Sequence, residues 1–234
     1  MDQPLIEMTD IVKTFHSGSV EFTALHQINL QFYPGEFVSI VGRSGSGKST
    51  LANMITGIDH PTSGSVKVGG DMIHEMKESQ MAVWRGLNLG IVFQFFQLMP
   101  MLTLFENVKL PMDLSNHIPV SERDQRVFEL LDLVGMRELA DQLPDEISGG
   151  QQQSIAIARS LANDPPILIA DEPTGNLDSK TASAVFEIFT GLAKSGKTII
   201  MVTHDQSLAE RTGRIVKISD GRLVNGSEQK RAAR

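Results

Sequence analysis

The chain has 234 residues, 41% of them apolar and 21% charged, with a formal net charge of −7 and no cysteine. That apolar share over that length supports one sizeable folded domain and excludes a disordered chain. The acidic balance argues against a nucleic-acid partner, and the missing cysteines exclude disulfides and permit a reducing compartment.

The N-terminus, MDQPLIEMTD, has no basic segment followed by an apolar run and does not read as a signal peptide. INLQFY at 28–33 alternates Ile28, Leu30 and Phe32 with polar neighbours, the period of a half-buried strand, and Pro34-Gly35 supplies a turn. FVSIV at 37–41 reads as a short buried strand that feeds a glycine-rich loop, and LANMITGI continues as a helix. IVFQ at 91–94 is a further apolar strand end. SERDQRVFELLDLVG at 121–135 predicts a surface helix, with Ser121 and Asp124 as a capping box, Val127, Leu130, Leu131 and Val134 on one face, and a stop at Gly135. QQQSIAIARSLAN at 151–163 repeats Ile155, Ala158, Leu161 and Ala162 at helical spacing until Asp164-Pro165-Pro166 breaks it. The texture predicts a mostly helical insertion over about 95–165. ILIA at 167–170 and TIIMV at 198–202 are apolar strands ending at Asp171-Glu172 and Thr203-His204. RIVKI, Asp220-Gly221 and RLV read as a hairpin, and GSEQKRAAR at 226–234 as a frayed terminus. No stretch approaches the ~20 consecutive apolar residues of a membrane span, so a role in transport requires another chain to supply the channel.

GRSGSGKST at 42–50 fills every fixed position of G-x-x-x-x-G-K-[ST] from Gly42 to Ser49. Successive backbone N–H groups from Gly42, Ser44, Gly45, Ser46, Gly47, Lys48, Ser49 and Thr50 are expected to ring a phosphate, with Lys48 adding a mobile positive charge. Ser49 and the strand-end Asp171 have the context of Mg²⁺-orienting residues. Glu172 is next to Asp171 but points elsewhere, so one carboxylate can serve a metal while the other addresses an attacking water. Ser148-Gly149-Gly150-Gln151 lies at a helix start, where Ser148 can cap and the glycines admit close backbone approach. Phe95, Phe96, Met99, Met101, Phe105 and Met112 crowd residues 95–112 and suit either a core or an adaptable protein-binding groove.

The glycine loop, ISGGQQQS at 147–154, ILIADEPTGNLD at 167–178 and TIIMVTHD at 198–205, in that order, resemble the ATP-binding cassette (ABC) family over nearly the whole chain. The resemblance implies an α/β fold, a P-loop NTPase nucleotide-binding domain with a mixed-sheet core, an antiparallel β subdomain and a helical insertion. Residues 1–94 and 166–234 would form the nucleotide-binding core of a single domain over 1–234, and about 95–165 the helical unit. It implies ATP and Mg²⁺ as ligands, with Asp171 at the metal, Glu172 as general base, and Gln94 contacting metal and attacking water. His204 would bond the γ-phosphate and orient the base, and Phe15 in VKTFHSG would stack under adenine, since stacking uses the ring face. By the same resemblance, two copies pair head to tail. Ser148, Gly149, Gly150 and Gln151 of one copy then face the phosphate held by the other, and Asp178 links the two sites. The implied setting is the cytoplasmic face of the inner membrane, peripheral and bound to an integral membrane permease, with residues 95–112 receiving a helix of that partner. GSVEFTAL, VFQFFQLMPMLTLFENVKLP and DEPTGNLDS look most like the branch of macrolide exporters, lipoprotein-release ATPases and a cell-division ATPase, which favours export or mechanical extraction. The alternative within that branch is an ATP-gated signal to a membrane partner without transport. One departure stands out. Where relatives usually read LSGGQQQR, this chain has Ile147 and Ser154, and a serine cannot replace a guanidinium fork.

Overall fold

The computed structural model describes residues 3–18 and 20–224. The segment 226–234 therefore lies outside the described residues, as do Met1 and Asp2. Two long strands, β1 (Ile6–Ser17) and β2 (Val20–Phe32), form an antiparallel hairpin, and β3 (Phe37–Val41) follows the Pro34-Gly35 turn. Helix α1 (Lys48–Thr56) ends at the left-handed Gly57. Next come β4 (Ser63–Val68), β5 (Asp71–Met72), α2 (Glu78–Asn88) and β6 (Leu89–Val92). Three helices follow, α3 (Leu104–Ser115), α4 (Val120–Leu133) and α5 (Gly149–Ser160). The chain then re-enters the sheet through β7 (Ile167–Asp171), α6 (Ser179–Lys194), β8 (Thr198–Thr203), α7 (Gln206–Ala209), β9 (Arg214–Ser219) and β10 (Arg222–Leu223).

The strands form an antiparallel sheet ordered β2-β1-β4-β5 and a six-stranded sheet ordered β10-β9-β3-β8-β7-β6. In the second, β9, β3, β8, β7 and β6 run parallel and β10 antiparallel, so this is an α/β fold with a mixed sheet. The two inner strands explain why ILIA and TIIMV read as continuous apolar runs, because both of their faces are covered. Ile167, Ile169, Ile200 and Val202 join α1 and the antiparallel sheet in one core. Their alternates Leu168, Ala170, Ile199 and Met201 join α3, α4, α5 and α6 in the other. Register places the functional strand ends side by side. Val41 pairs with Thr203, Asp171 with Val202, and Val92 with Ala170.

Two sequence expectations change. Helix α4 starts at Val120 with Pro119 as N-cap, and no side chain caps it. The Ser121–Asp124 capping box does not form, because Pro119 (φ −53°) already starts helical bonding through Glu122 N–H to its carbonyl at 2.9 Å. Asp124 instead accepts from Lys109 Nζ at 2.6 Å. The strand seen over 28–33 is the end of a 13-residue strand paired with β1. Bulges between Met8 and Thr14 break the alternation that would have revealed β1. The Asp220-Gly221 hairpin forms as expected, with φ of +49° and +70° matching a turn between strands.

Candidate functional site

Strand β3 ends at Val41 and the glycine loop turns into α1 directly below it. Gly47 is the N-cap of α1 at φ +100°, and a Cβ there would lie 2.8 Å from the Ala24 carbonyl oxygen, so only glycine fits. No side chain caps α1, which leaves its first-turn N–H groups facing outward as an anion site. Lys48 is buried and donates to the carbonyls of Gly42 (3.0 Å) and Arg43 (3.1 Å), which holds the ammonium inside the loop.

A cleft of about 720 Å³ opens over this loop. Among its lining residues are Ser44, Gly45, Gly47, Lys48, Ser49, Thr50, Gln94, Glu172, His204 and Phe15. Ten residues singled out from separate stretches of sequence thus meet in one cavity. Glu172 Oε2 lies 2.7 Å from His204 Nδ1 and also accepts from the His204 backbone N–H at 3.3 Å. The Glu172 side chain is 15% exposed and that of His204 66%, so the histidine faces the opening and the carboxylate sits behind it. Glu172 adopts φ +49°, a left-handed conformation rare for a residue with a Cβ, and its N–H is held by the Val202 carbonyl at 2.9 Å.

Below the loop, burial pushes the Asp171 carboxyl above its usual range, with the Ser49 hydroxyl and the Lys48 charge pulling it part of the way back. Asp171 Oδ1 is buried without a hydrogen-bond partner among the described residues, as is Ser46 Oγ. A buried, unpartnered carboxylate oxygen beside a serine hydroxyl fits a hard cation such as Mg²⁺, which takes one or two carboxylates and completes its shell with phosphate and water. Gln94 also lines the cleft, and its backbone carbonyl accepts from Asn176 Nδ2 at 3.3 Å.

The cleft also contains Phe22 and Ala24, which sequence reasoning missed. Phe22 pairs directly across from Phe15 in the β1–β2 ladder, and the two rings are 59% and 43% exposed. Alternation of Phe22 and Ala24 with Glu21 and Thr23 was the available signal. Lys13 Nζ lies 4.9 Å from the Phe15 ring centroid and is anchored by Asp59 Oδ1 at 2.6 Å.

Ser148, Gly149, Gly150, Gln151 and Asp178 do not line the cleft. Ser148 caps α5 in a reciprocal box: its Oγ accepts from Gln151 N–H at 3.4 Å, and Gln151 Oε1 accepts from Ser148 N–H at 2.9 Å. Asp178 caps α6, accepting from Lys180 and Thr181 N–H at 3.0 and 3.1 Å. The unusual Ser154 is buried and its hydroxyl donates to the Gly150 carbonyl at 3.1 Å, so no hydroxyl is stranded there. Of the residues crowded into 95–112, Met112 is buried and Phe105 packs on the helical core, whereas Phe95, Met99 and Met101 are exposed. Residues 95–112 thus contribute to the helical core and also leave apolar side chains on the surface. Buried Asn107 and half-buried Arg159 hold the exposed stretch: Asn107 bonds both backbone atoms of Met99, and Arg159 donates to the carbonyls of Phe96 and Gln97.

A glycine loop on a helix start, paired acidic residues at the next strand but one, and a cleft over both define a P-loop nucleoside triphosphatase. Residues 25–175 match the family described as ABC transporter, and the chain belongs to that family as its ATP-binding, ATPase cassette. An uncharacterized ABC transporter ATP-binding protein YknY of Bacillus subtilis is 43% identical over 228 residues, 97% of this chain and 99% of that one. The macrolide export ATP-binding/permease protein MacB of Hyphomonas neptunium is 40% identical over the whole chain, which spans 36% of MacB. Among solved structures, the dimeric cassette MJ0796 bound to ADP and Pi superposes with a TM-score of 0.89 at 39% identity, covering 97% of this chain and 99% of that one. The cassette cbiO1 from Clostridium perfringens, part of the cbiONQ transporter complex, gives 0.84 at 29% identity, covering 95% and 88%.

Proposed function

We propose that this cassette hydrolyses ATP in an Mg²⁺-dependent reaction at the interface of a head-to-tail pair of copies and thereby drives a separate integral membrane permease. The observation that carries it is the Glu172–His204 pair, 2.7 Å apart, at the mouth of the cleft that also holds the glycine loop. Phe15, backed by Lys13, stacks against adenine. The first-turn N–H groups of α1 and the Lys48 ammonium neutralise the β- and γ-phosphates. Glu172 takes the proton from the attacking water as general base, and its hydrogen bond to His204 fixes its direction. The strained backbone at Glu172 serves that aim, since it turns the carboxylate out of the strand line toward the cleft. Ser49, Gln94 and Asp171 would hold Mg²⁺, which supplies charge neutralisation at the phosphates.

The helix start at Ser148, Gly149, Gly150 and Gln151 and the loop at Asp178 lie outside their own cleft, so they serve a second copy's nucleotide in an ATP sandwich. Residues 1–94 and 166–234 act as the nucleotide-binding core and about 95–165 as a helical unit that transmits its state. The exposed Phe95, Met99 and Met101 receive the permease, and the cassette works at the cytoplasmic face of the inner membrane, peripheral to it. Similarity to MacB favours export. No helix among the described residues is long and apolar enough to cross a membrane.

The test is phosphate release by the cassette reconstituted with its permease. Activity that survives chelation of divalent ions, or a Glu172→Gln variant as fast as the parent, would falsify this mechanism. The expected loss in that variant is on the order of 10²–10⁴-fold, the span of a removed general base.

A further inference from the structure

Thr181, in the first turn of α6, joins the two elements that lie outside the cleft. Its hydroxyl donates to Asp178 Oδ2 at 2.5 Å, while the other oxygen of that carboxylate caps α6 through the Lys180 and Thr181 N–H groups. The Thr181 hydroxyl and N–H together hold the Asp178 carboxyl below its ordinary range. The methyl of the same side chain lies against the bare Cα of Gly150. A Cβ at Gly150 would fall 2.2 Å from Thr181 Cγ2, but 3.5 and 3.8 Å from its Cβ and Oγ1. Only the methyl therefore fills the space that Gly150 leaves. Because a β-branched side chain has few χ1 choices, placing the hydroxyl on Asp178 also places the methyl on Gly150.

We propose that Thr181 is a positioning residue that locks the Gly149-Gly150 turn of α5 to the loop ending at Asp178, so that one copy presents both to another as a single unit. This rests on the head-to-tail pairing proposed above. Each arm has its own probe. Thr181→Val keeps the shape and loses the bond to Asp178, and Thr181→Ser keeps the bond and loses the contact with Gly150.

The experiment uses the full chain carrying Glu172→Gln as parent and measures ATP–Mg²⁺-driven pairing by sedimentation across an ATP titration, together with nucleotide binding to the monomer. Each variant is expected to raise the ATP needed for half-maximal pairing by about three- to tenfold, the size of one lost exposed hydrogen bond or packing contact, while monomer binding stays as in the parent. Melting of the monomer reports the steric arm separately. Gly150→Ala should lower the melting temperature, and Gly150→Ala with Thr181→Ser should recover most of the loss, which a site of independent packing would not do. Pairing curves that match the parent in both Thr181 variants, or a double variant no more stable than Gly150→Ala, would overturn the inference alone. A parent that does not pair at saturating ATP would overturn the head-to-tail reading, and the presentation of these elements to another copy with it.

Discussion

Two helices in this chain begin at glycine-rich sequence, and they are finished in opposite ways. Helix α1 starts at a left-handed Gly47 with no side-chain cap and opens onto a cleft of about 720 Å³. Helix α5 starts at Ser148, whose hydroxyl and backbone N–H are both engaged with Gln151, and it borders no part of that cleft. Glycine at a helix start is thus two different devices. In α1 it leaves the first-turn donors without a side-chain cap, and in α5 the bare Cα of Gly150 admits the Thr181 methyl.

The comparison is broken most severely at Gly47. An alanine there must hold φ near +100° and push its Cβ to 2.8 Å from the Ala24 carbonyl oxygen, a backbone atom with nowhere to go. Gly47→Ala is expected to destabilise by about 3 kcal/mol and lower the melting temperature by roughly 6–10 °C, with loss of nucleotide binding. Gly150→Ala meets only a side-chain methyl, so a second substitution can relieve it. If Gly47→Ala bound nucleotide as the parent does, the loop would not depend on the left-handed turn.

Phe15→Ala tests the cleft side of the comparison at its apolar end. Removing one stacking face should weaken ATP binding by about 1 kcal/mol, roughly fivefold, read by titration calorimetry, and leave the turnover of bound ATP nearly unchanged. Phe22 directly across the ladder remains in place and keeps the loss modest. A variant with unaltered affinity would assign the base to Phe22 instead.

Ser148→Ala tests the other helix. The cap bond is long, 3.4 Å, so the expected cost is at the lower end for a cap, about 0.5–1 kcal/mol. Nucleotide binding to the monomer should not change. A large drop in monomer affinity would mean that α5 reaches its own cleft.

How much of this was legible in sequence follows the range of each signal. The glycine loop, Asp171-Glu172 and His204 could be read because each closes an apolar run, and parallel pairing brings such ends to one edge. The convergence of Gln94 on the same cavity needed the β6–β7 pairing, which no local pattern announces. Phe22 was hidden because its role depends on the register of a bulged hairpin. The start of α4 was misplaced because Ser121 and Asp124 have the right spacing for a cap, and Pro119 upstream begins the helix first. The link from Gly150 through Thr181 to Asp178 could not be read at all, since it requires α5 and α6 to be adjacent and a methyl to be aimed at a glycine.

The smallest expected effect lies beneath α1 and has the opposite sign to the others. Burial raises the Asp171 carboxyl above its usual value, and Oδ1 has no hydrogen-bond partner among the described residues. At a pH below the unfolded value, about 4, both states are protonated and the group costs nothing. As pH rises above that value the unfolded chain ionises first and the folded chain only at its higher value, so the penalty grows between the two and persists above both. Asp171→Asn should therefore raise the melting temperature of the nucleotide-free protein at pH 7.5 by about 1–3 °C, with the gain fading as pH falls toward 4. With ATP and Mg²⁺ present the order should reverse, because the parent gains a cation ligand that the variant lacks. A parent more stable than the variant at neutral pH without nucleotide would show that Ser49 and Lys48 already outweigh the burial, and that the metal position carries no built-in instability for a cation to relieve.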